Sequence, residues 1–173
     1  MKKNWFKYTF AFIAILLLRL IPFRAPNVEP IMAAQMPFGK VYGKWAAFLF
    51  GALSVVVYDG LTSGIGVWTA ITALAYGFVG LGAAYYFKNR TGRKSYAIYA
   101  VIATIVYDAV TGLTLGPIFF GQPFMAALIG QIPFTALHLL GSVTFAIVLS
   151  PAIESWAAKK SPVPVLMHSL VKV

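Results

Sequence analysis

VVYDGLT, residues 56–62, closes the apolar run AAFLFGALSVVVY (residues 46–58), and IVYDAVT, residues 105–111, closes a second one. Each segment is too oily for the surface of a soluble domain, and each ends in Val-Tyr-Asp-x-x-Thr. A run of this kind, at about 20 residues, spans a bilayer as a helix. An aspartate at such an end needs a reason. A charge at the centre of a membrane helix costs roughly 2.5–3.5 kcal/mol, and less near the interface. A carboxylate at a helix C-terminus also meets the negative end of the dipole, at about 0.3–1 kcal/mol.

The rest of the chain agrees with a membrane reading. Of 173 residues 60% are hydrophobic and only 10% charged, and mean hydropathy is +0.82. So few charges cannot cover a soluble domain of this size. The expected class is all-α: a polytopic membrane protein forming a single transmembrane helical domain over residues 1–173. Six helices are expected, at about 8–22, 29–39, 45–59, 65–87, 95–110 and 134–156. The second is short for a crossing. Residues 111–133, broken by Gly and Pro, read as a short helix or re-entrant piece packed against protein, because lipid tolerates no unsatisfied backbone.

Fourteen Lys and Arg stand against four Asp and Glu, for a net charge of +10. Their positions separate a membrane from a nucleic-acid surface. Lys2, Lys3 and Lys7 open the chain; Lys40 and Lys44 flank one turn; Lys88, Arg90, Arg93 and Lys94 fill another; Lys159, Lys160 and Lys172 close it. With both termini cytoplasmic and six crossings, every cluster falls inside, as the positive-inside rule requires. No nucleic-acid partner is expected. The N-terminus imitates a signal peptide, but RLIPFRAPN offers no small-x-small cleavage site, so a retained first helix is expected. Cysteine is absent, which leaves no disulfide frame or thiol chemistry.

This topology gathers Arg19, Arg24, Glu29, Asp59 and Asp108 near the outer face, with Glu154 elsewhere. Two compatible readings stay open for the aspartates: ion pairs and caps that hold the helix ends, or walls of an external ligand pocket. Asn27, Thr62, Trp68, Thr111, Gln122, Gln131 and His138 fall in or beside the same layer, with Ser63, Thr69 and Thr114. Asn27 also reads as the N-cap of the second helix, Trp68 as an interface anchor, and His138 as hydrogen-bonded structure. Tyr58 and Tyr107 read as belt aromatics. The segment Lys44–Thr62 maps onto Arg93–Thr111 in the same direction, a parallel repeat of the kind transporters use. Gly39-x-x-x-Gly43, Gly77-x-x-Gly80-x-Gly82 and Ala70-x-x-Ala73 permit close helix contact.

PNVEPIMAAQMPFGKVYG (26–43), VVVYDGLTSGIGVWTAITALAYG (55–77) and VYDAVTGLTLGPIFFGQPFMAALIGQIPF (106–134) together resemble a substrate-binding S component of an energy-coupling factor (ECF) transporter. The resemblance covers roughly Arg19 to Pro151. It implies a multi-pass protein of the cell membrane that captures a vitamin-like nutrient or a metal ion from outside. It also implies partners: a transmembrane scaffold subunit and two cytoplasmic ATPases. Members often carry Ala-x-x-x-Ala on the first helix for docking, whereas this chain has Ala11-Phe-Ile-Ala14. No GxxxxGK[ST] loop is present, so ATP hydrolysis is expected from partners, not from this chain. Neither HExxH nor GxSxG occurs, and one central His without Cys disfavours a soft-metal site. No enzyme activity, cofactor or metal site is expected. The competing reading is a structural or assembly protein of the cell envelope that recruits partners.

Overall fold

The computed structural model describes residues 5–23 and 27–159, and these are helical almost throughout. Helix α1 covers Trp5–Arg19, α2 Ile31–Tyr42, α3 Lys44–Leu61, α4 Val67–Tyr86 and α5 Arg93–Asp108. A π-helical segment, Ala109–Leu115, continues α5 without a break into the short α6, Gly116–Phe120. Then come α7, Phe124–Val148, and α8, Ser150–Ala158. Among the described residues, four helical runs are long and apolar enough to cross a membrane: Lys44–Leu61, Val67–Tyr86, Arg93–Phe120 and Phe124–Val148.

Helix α2 is the axis of the bundle. Ile31, Met32, Ala33, Ala34, Met36 and Phe38 are all at most 1% exposed. Its 12 residues rise only about 18 Å, short of the ~30 Å hydrocarbon core. It is nevertheless wrapped by protein, so lipid thickness does not set its length. Gln35 fastens it: Nε2 donates to Ala47 O of α3 at 3.0 Å and to Tyr76 O of α4 at 2.6 Å. A side chain at Gly51 or Gly80 would overlap Gln35, and one at Gly39 would press on the Ala84 backbone. The small residues therefore serve contact within this chain. Gly43, at φ +95°, makes the sharp turn between α2 and α3 that a residue with a Cβ rarely adopts.

Two polar clusters mark opposite ends of the bundle. At one, Lys7 Nζ donates to the carbonyls of Trp156 and Lys159, each at 2.6 Å, satisfying the last turn of α8. There Glu154 accepts from Lys40, from Tyr96 Oη at 2.7 Å and from Thr91 Oγ1 at 3.2 Å. This joins α2, α5 and α8. Burial acts to raise the Glu154 carboxyl, but the hydrogen bonds from Lys40 and Tyr96 outweigh it and hold the group below the usual carboxylate range. At the other end stand Arg19, Glu29, Asp59 and Asp108.

Several boundaries differ from the sequence reading. The last long helix begins at Phe124, not at 134, and breaks at Leu149. Pro133 lies inside α7 rather than ahead of it. Its missing amide costs one hydrogen bond, which the flanking turns of a long helix tolerate. Within 111–133 a short helix does form; its Gly116 is buried and Phe120 meets Trp68, while Ile118, Phe119 and Phe120 stay 56–70% exposed. Glu29 precedes the second helix, whose N-cap is Pro30. Asn27 takes φ +62° in the preceding turn and does not cap it. Arg24, Lys2, Lys3, Lys160, His168 and Lys172 lie outside the described residues.

Candidate functional site

The Arg19 end of the bundle encloses a cavity of about 170 Å³. Arg19 closes α1 and turns inward, only 6% exposed. Its guanidinium donates to Ser54 O at 2.8 Å and to Glu29 Oε1 at 3.1 Å, and it lies 4.0 Å from the centre of the Tyr58 ring. An ion pair, a carbonyl and an aromatic face thus share the cost of burying one cation.

Asp59 ends α3 beside this pair. Its Oδ2 accepts from Thr69 Oγ1 at 2.7 Å, and Thr69 Oγ1 accepts from the Gly66 amide at 3.2 Å. Asp59 O also receives the amides of Thr62 and Gly64, at 3.2 and 2.7 Å. Gly64, at φ +87°, lets the chain double back into α4. One aspartate therefore terminates α3 with its backbone and steadies the start of α4 with its side chain. Among the described residues no cation pairs with it.

The opposite wall comes from α4, α5 and α7. His138 is 3% exposed. Its Nδ1 lies 2.8 Å from Asp108 Oδ1 and its Nε2 lies 3.3 Å from Tyr76 Oη. Tyr107 packs on Tyr76 with centroids 4.6 Å apart and meets the His138 ring edge-on at 5.6 Å. Phe134, one turn before His138, packs against the same ring. Trp68 stands at the mouth, 41% exposed, edge-on to Phe120.

Of the twelve residues read from sequence, Arg19, Asn27, Glu29, Asp59, Trp68, Thr111 and His138 line this cavity. Asp108 stands behind His138 rather than at the surface. Its Oδ2 is buried without a hydrogen bond, beside a crevice between α5 and α7 that Gln131 also lines. Gln131 donates to Thr135 and does not reach the cavity. Thr62 is exposed and donates to Tyr58 O. Gln122 is exposed in the turn before α7. Arg24 is outside the described residues. Sequence reading missed Val55, Thr72, Tyr76 and Phe134 as lining residues, and treated Tyr107 as a belt aromatic. Thr69, Thr72 and Tyr76 are spaced i, i+3, i+7, one helical face; that spacing was the available signal.

A bundle of long apolar helices with a small polar cavity at one end and lysine-rich contacts at the other defines a helical membrane protein. Residues 9–157 match the family model described as ECF-type riboflavin transporter, S component. The chain belongs to the S components of energy-coupling factor transporters, which are substrate-binding transport subunits. No curated protein and no solved structure matches it.

Proposed function

We propose that this chain captures a vitamin-like small molecule from the outer face of the cell membrane, for an ATP-driven importer completed by a transmembrane scaffold subunit and two cytoplasmic ATPases. It acts as one domain with six passes, its N- and C-termini cytoplasmic. In that orientation Arg19, Glu29 and Asp59 lie outward, and Lys7, Lys40, Lys44 and Arg90 lie inward, in keeping with the positive-inside rule. The 12-residue α2 makes one of the passes inside the protein. It runs from the turn holding Glu29, paired with Arg19, to Lys40, paired with Glu154.

The observation that carries this reading is the cavity itself. It combines a buried ion pair, a carboxylate without a cation among the described residues, and four aromatic rings, a few polar groups fixed among apolar walls. At about 170 Å³ it is smaller than the ~300–1,000 Å³ of ordinary ligand clefts. It therefore takes one end of a ligand, with Trp68 and the Asn27 turn at the lip. Riboflavin, the compound in the description of the matching family, is the first candidate.

The test is mass spectrometry of small molecules carried through purification in mild detergent, alongside uptake by cells. A single retained compound whose uptake falls with Asp59→Asn supports capture. Preparations that stay empty with every candidate nutrient, and that copurify with envelope-assembly proteins instead of ATPases, contradict it.

A further inference from the structure

A second cavity lies on the outside of the bundle, apart from whatever the polar cavity holds. It is a groove of about 390 Å³ between α4 and α5, more than twice the volume of the Arg19 cavity. Tyrosine pairs close it at both ends: Tyr86 packs on Tyr99 with centroids 5.1 Å apart, and Tyr76 packs on Tyr107 at 4.6 Å. Between them Phe78, Ile102, Val106 and Val110 form the rims, 44–63% exposed, over the small side chains of Ala75 and Ala103. Tyr99 Oη donates to Val79 O, so its proton is spent.

The turn beyond the Tyr86 end carries Lys88, Arg90, Arg93 and Lys94, all exposed. Glu154, the carboxylate of this end, is spent on Lys40, Tyr96 and Thr91. None of the four cations has an ion pair among the described residues. Arg90 lays its guanidinium on Tyr86, 4.2 Å from the ring centre, and Tyr86 in turn meets Tyr99 of the groove. Stacking holds the plane of the group while its N–H fork remains open to a tetrahedral anion. A cationic turn, a pair of rings and an apolar groove thus follow one another along the same two helices.

We propose that this is the seat of one anionic phospholipid, its phosphate on Arg90 and Arg93 with Lys88 and Lys94 around it, and one acyl chain in the α4–α5 groove. The lengths agree. The rise from Arg93 to Tyr99 is about 9 Å and from Tyr99 to Val110 about 16 Å. The groove is therefore about half of the ~30 Å hydrocarbon core, the depth of one leaflet. A partner helix would need a track across the whole core, with small residues along it or polar groups to join it. Here the rims are branched and aromatic, which suits a flexible chain. The cations choose the headgroup: a zwitterionic lipid brings its own positive charge into the turn and gains less there.

The test is native mass spectrometry of the whole chain in mild detergent, titrated with phosphatidylglycerol and with phosphatidylcholine of the same acyl chains. The expected result is one phosphatidylglycerol bound at least about tenfold tighter than phosphatidylcholine. Arg90→Gln with Arg93→Gln should narrow that preference to under about threefold. Lys159→Gln, which removes an exposed cation at the end of α8, should leave it intact. Ala103→Phe, which fills the groove, should weaken both lipids severalfold and keep their ratio, because it meets the chain and not the phosphate. Equal binding of the two lipids overturns the proposal, as does a preference lost equally in Lys159→Gln, which would make it a diffuse surface effect. Unchanged lipid binding in Ala103→Phe, or release of a copurified membrane protein in place of lipid, overturns it too. If the variants do not fold, glycerol phosphate and diacylglycerol on the unmodified chain decide: the intact lipid should bind at least about tenfold tighter than either half, and a half that binds as well contradicts the proposal. Each of these failures leaves ligand capture at the Arg19 end standing.

Discussion

Asp59 and Asp108 close the same pattern, yet one borders the cavity half-buried and the other lies behind His138, 1% exposed. The local chemistry of the two copies is alike. Thr62 donates to Tyr58 O and Thr111 to Tyr107 O, both at 2.8 Å, four residues back. The surroundings differ. The first tyrosine takes the Arg19 guanidinium on its face, whereas the second packs on Tyr76 and His138. The first helix stops at Leu61, because Gly64 and Gly66 follow and the chain turns on Asp59. The second continues through a π-helical turn to Phe120. Pro117 lacks an amide and its ring crowds the carbonyl four residues earlier; the wider turn relieves both. Gly112 leaves the room there that Gln131 fills. A repeated motif therefore fixes a helix end's own hydrogen bonds, while partners from distant helices decide what its aspartate does.

This contrast can be broken by experiment. The largest effect is expected from Asp108→Ala, which strands His138 in the core; leaving a buried hydrogen-bonding group without its partner costs about 1–3 kcal/mol. Thermal unfolding in detergent should show that drop, while Asp59→Ala, which loses one part-buried hydrogen bond from Thr69, should cost less, about 0.5–1.5 kcal/mol. Comparable losses for the two would erase the distinction. Next comes Thr111→Val against Thr62→Val. The first alters a cavity wall and should weaken ligand binding severalfold; the second, exposed, should leave affinity unchanged by titration. The smallest effect sharpens the comparison by making the copies more alike. Gly60 occupies the helical position that Ala109 holds in the second copy, and a Cβ there meets only ordinary contact with Ile65. Gly60→Ala should stabilise by up to about 1 kcal/mol in the same melt, whereas a loss would show that the first copy needs its glycine.

Much of this architecture was legible in the chain. The long apolar runs, the aspartates at their ends and the lysine-rich turns mark the helices and the two polar levels. The match between Lys44–Thr62 and Arg93–Thr111 anticipates the shared threonine bond. Pairing was not legible. Arginine was the expected partner of the aspartates, but Arg19 binds Glu29, ten positions along, and His138 binds Asp108, thirty away. Which groups meet depends on how α7 leans on α5, and no local pattern encodes that. The start of α7 was hidden for a related reason. Pro133 reads as a breaker by propensity, yet α7 runs through it from Phe124. Gln35, which ties α2 to two neighbours, looks in sequence like one polar residue in an apolar run.

The claim on which all else stands is that the Arg19 end, not the Lys40 end, holds the ligand. Its most direct test is equilibrium binding of the compound retained on purification to the unmodified chain, to Asp59→Asn and to Glu154→Gln, each folded in detergent. Asp59→Asn should bind at least about tenfold more weakly, and Glu154→Gln, which alters a carboxylate at the opposite end, should match the unmodified chain. Full affinity in Asp59→Asn together with loss in Glu154→Gln would contradict the account.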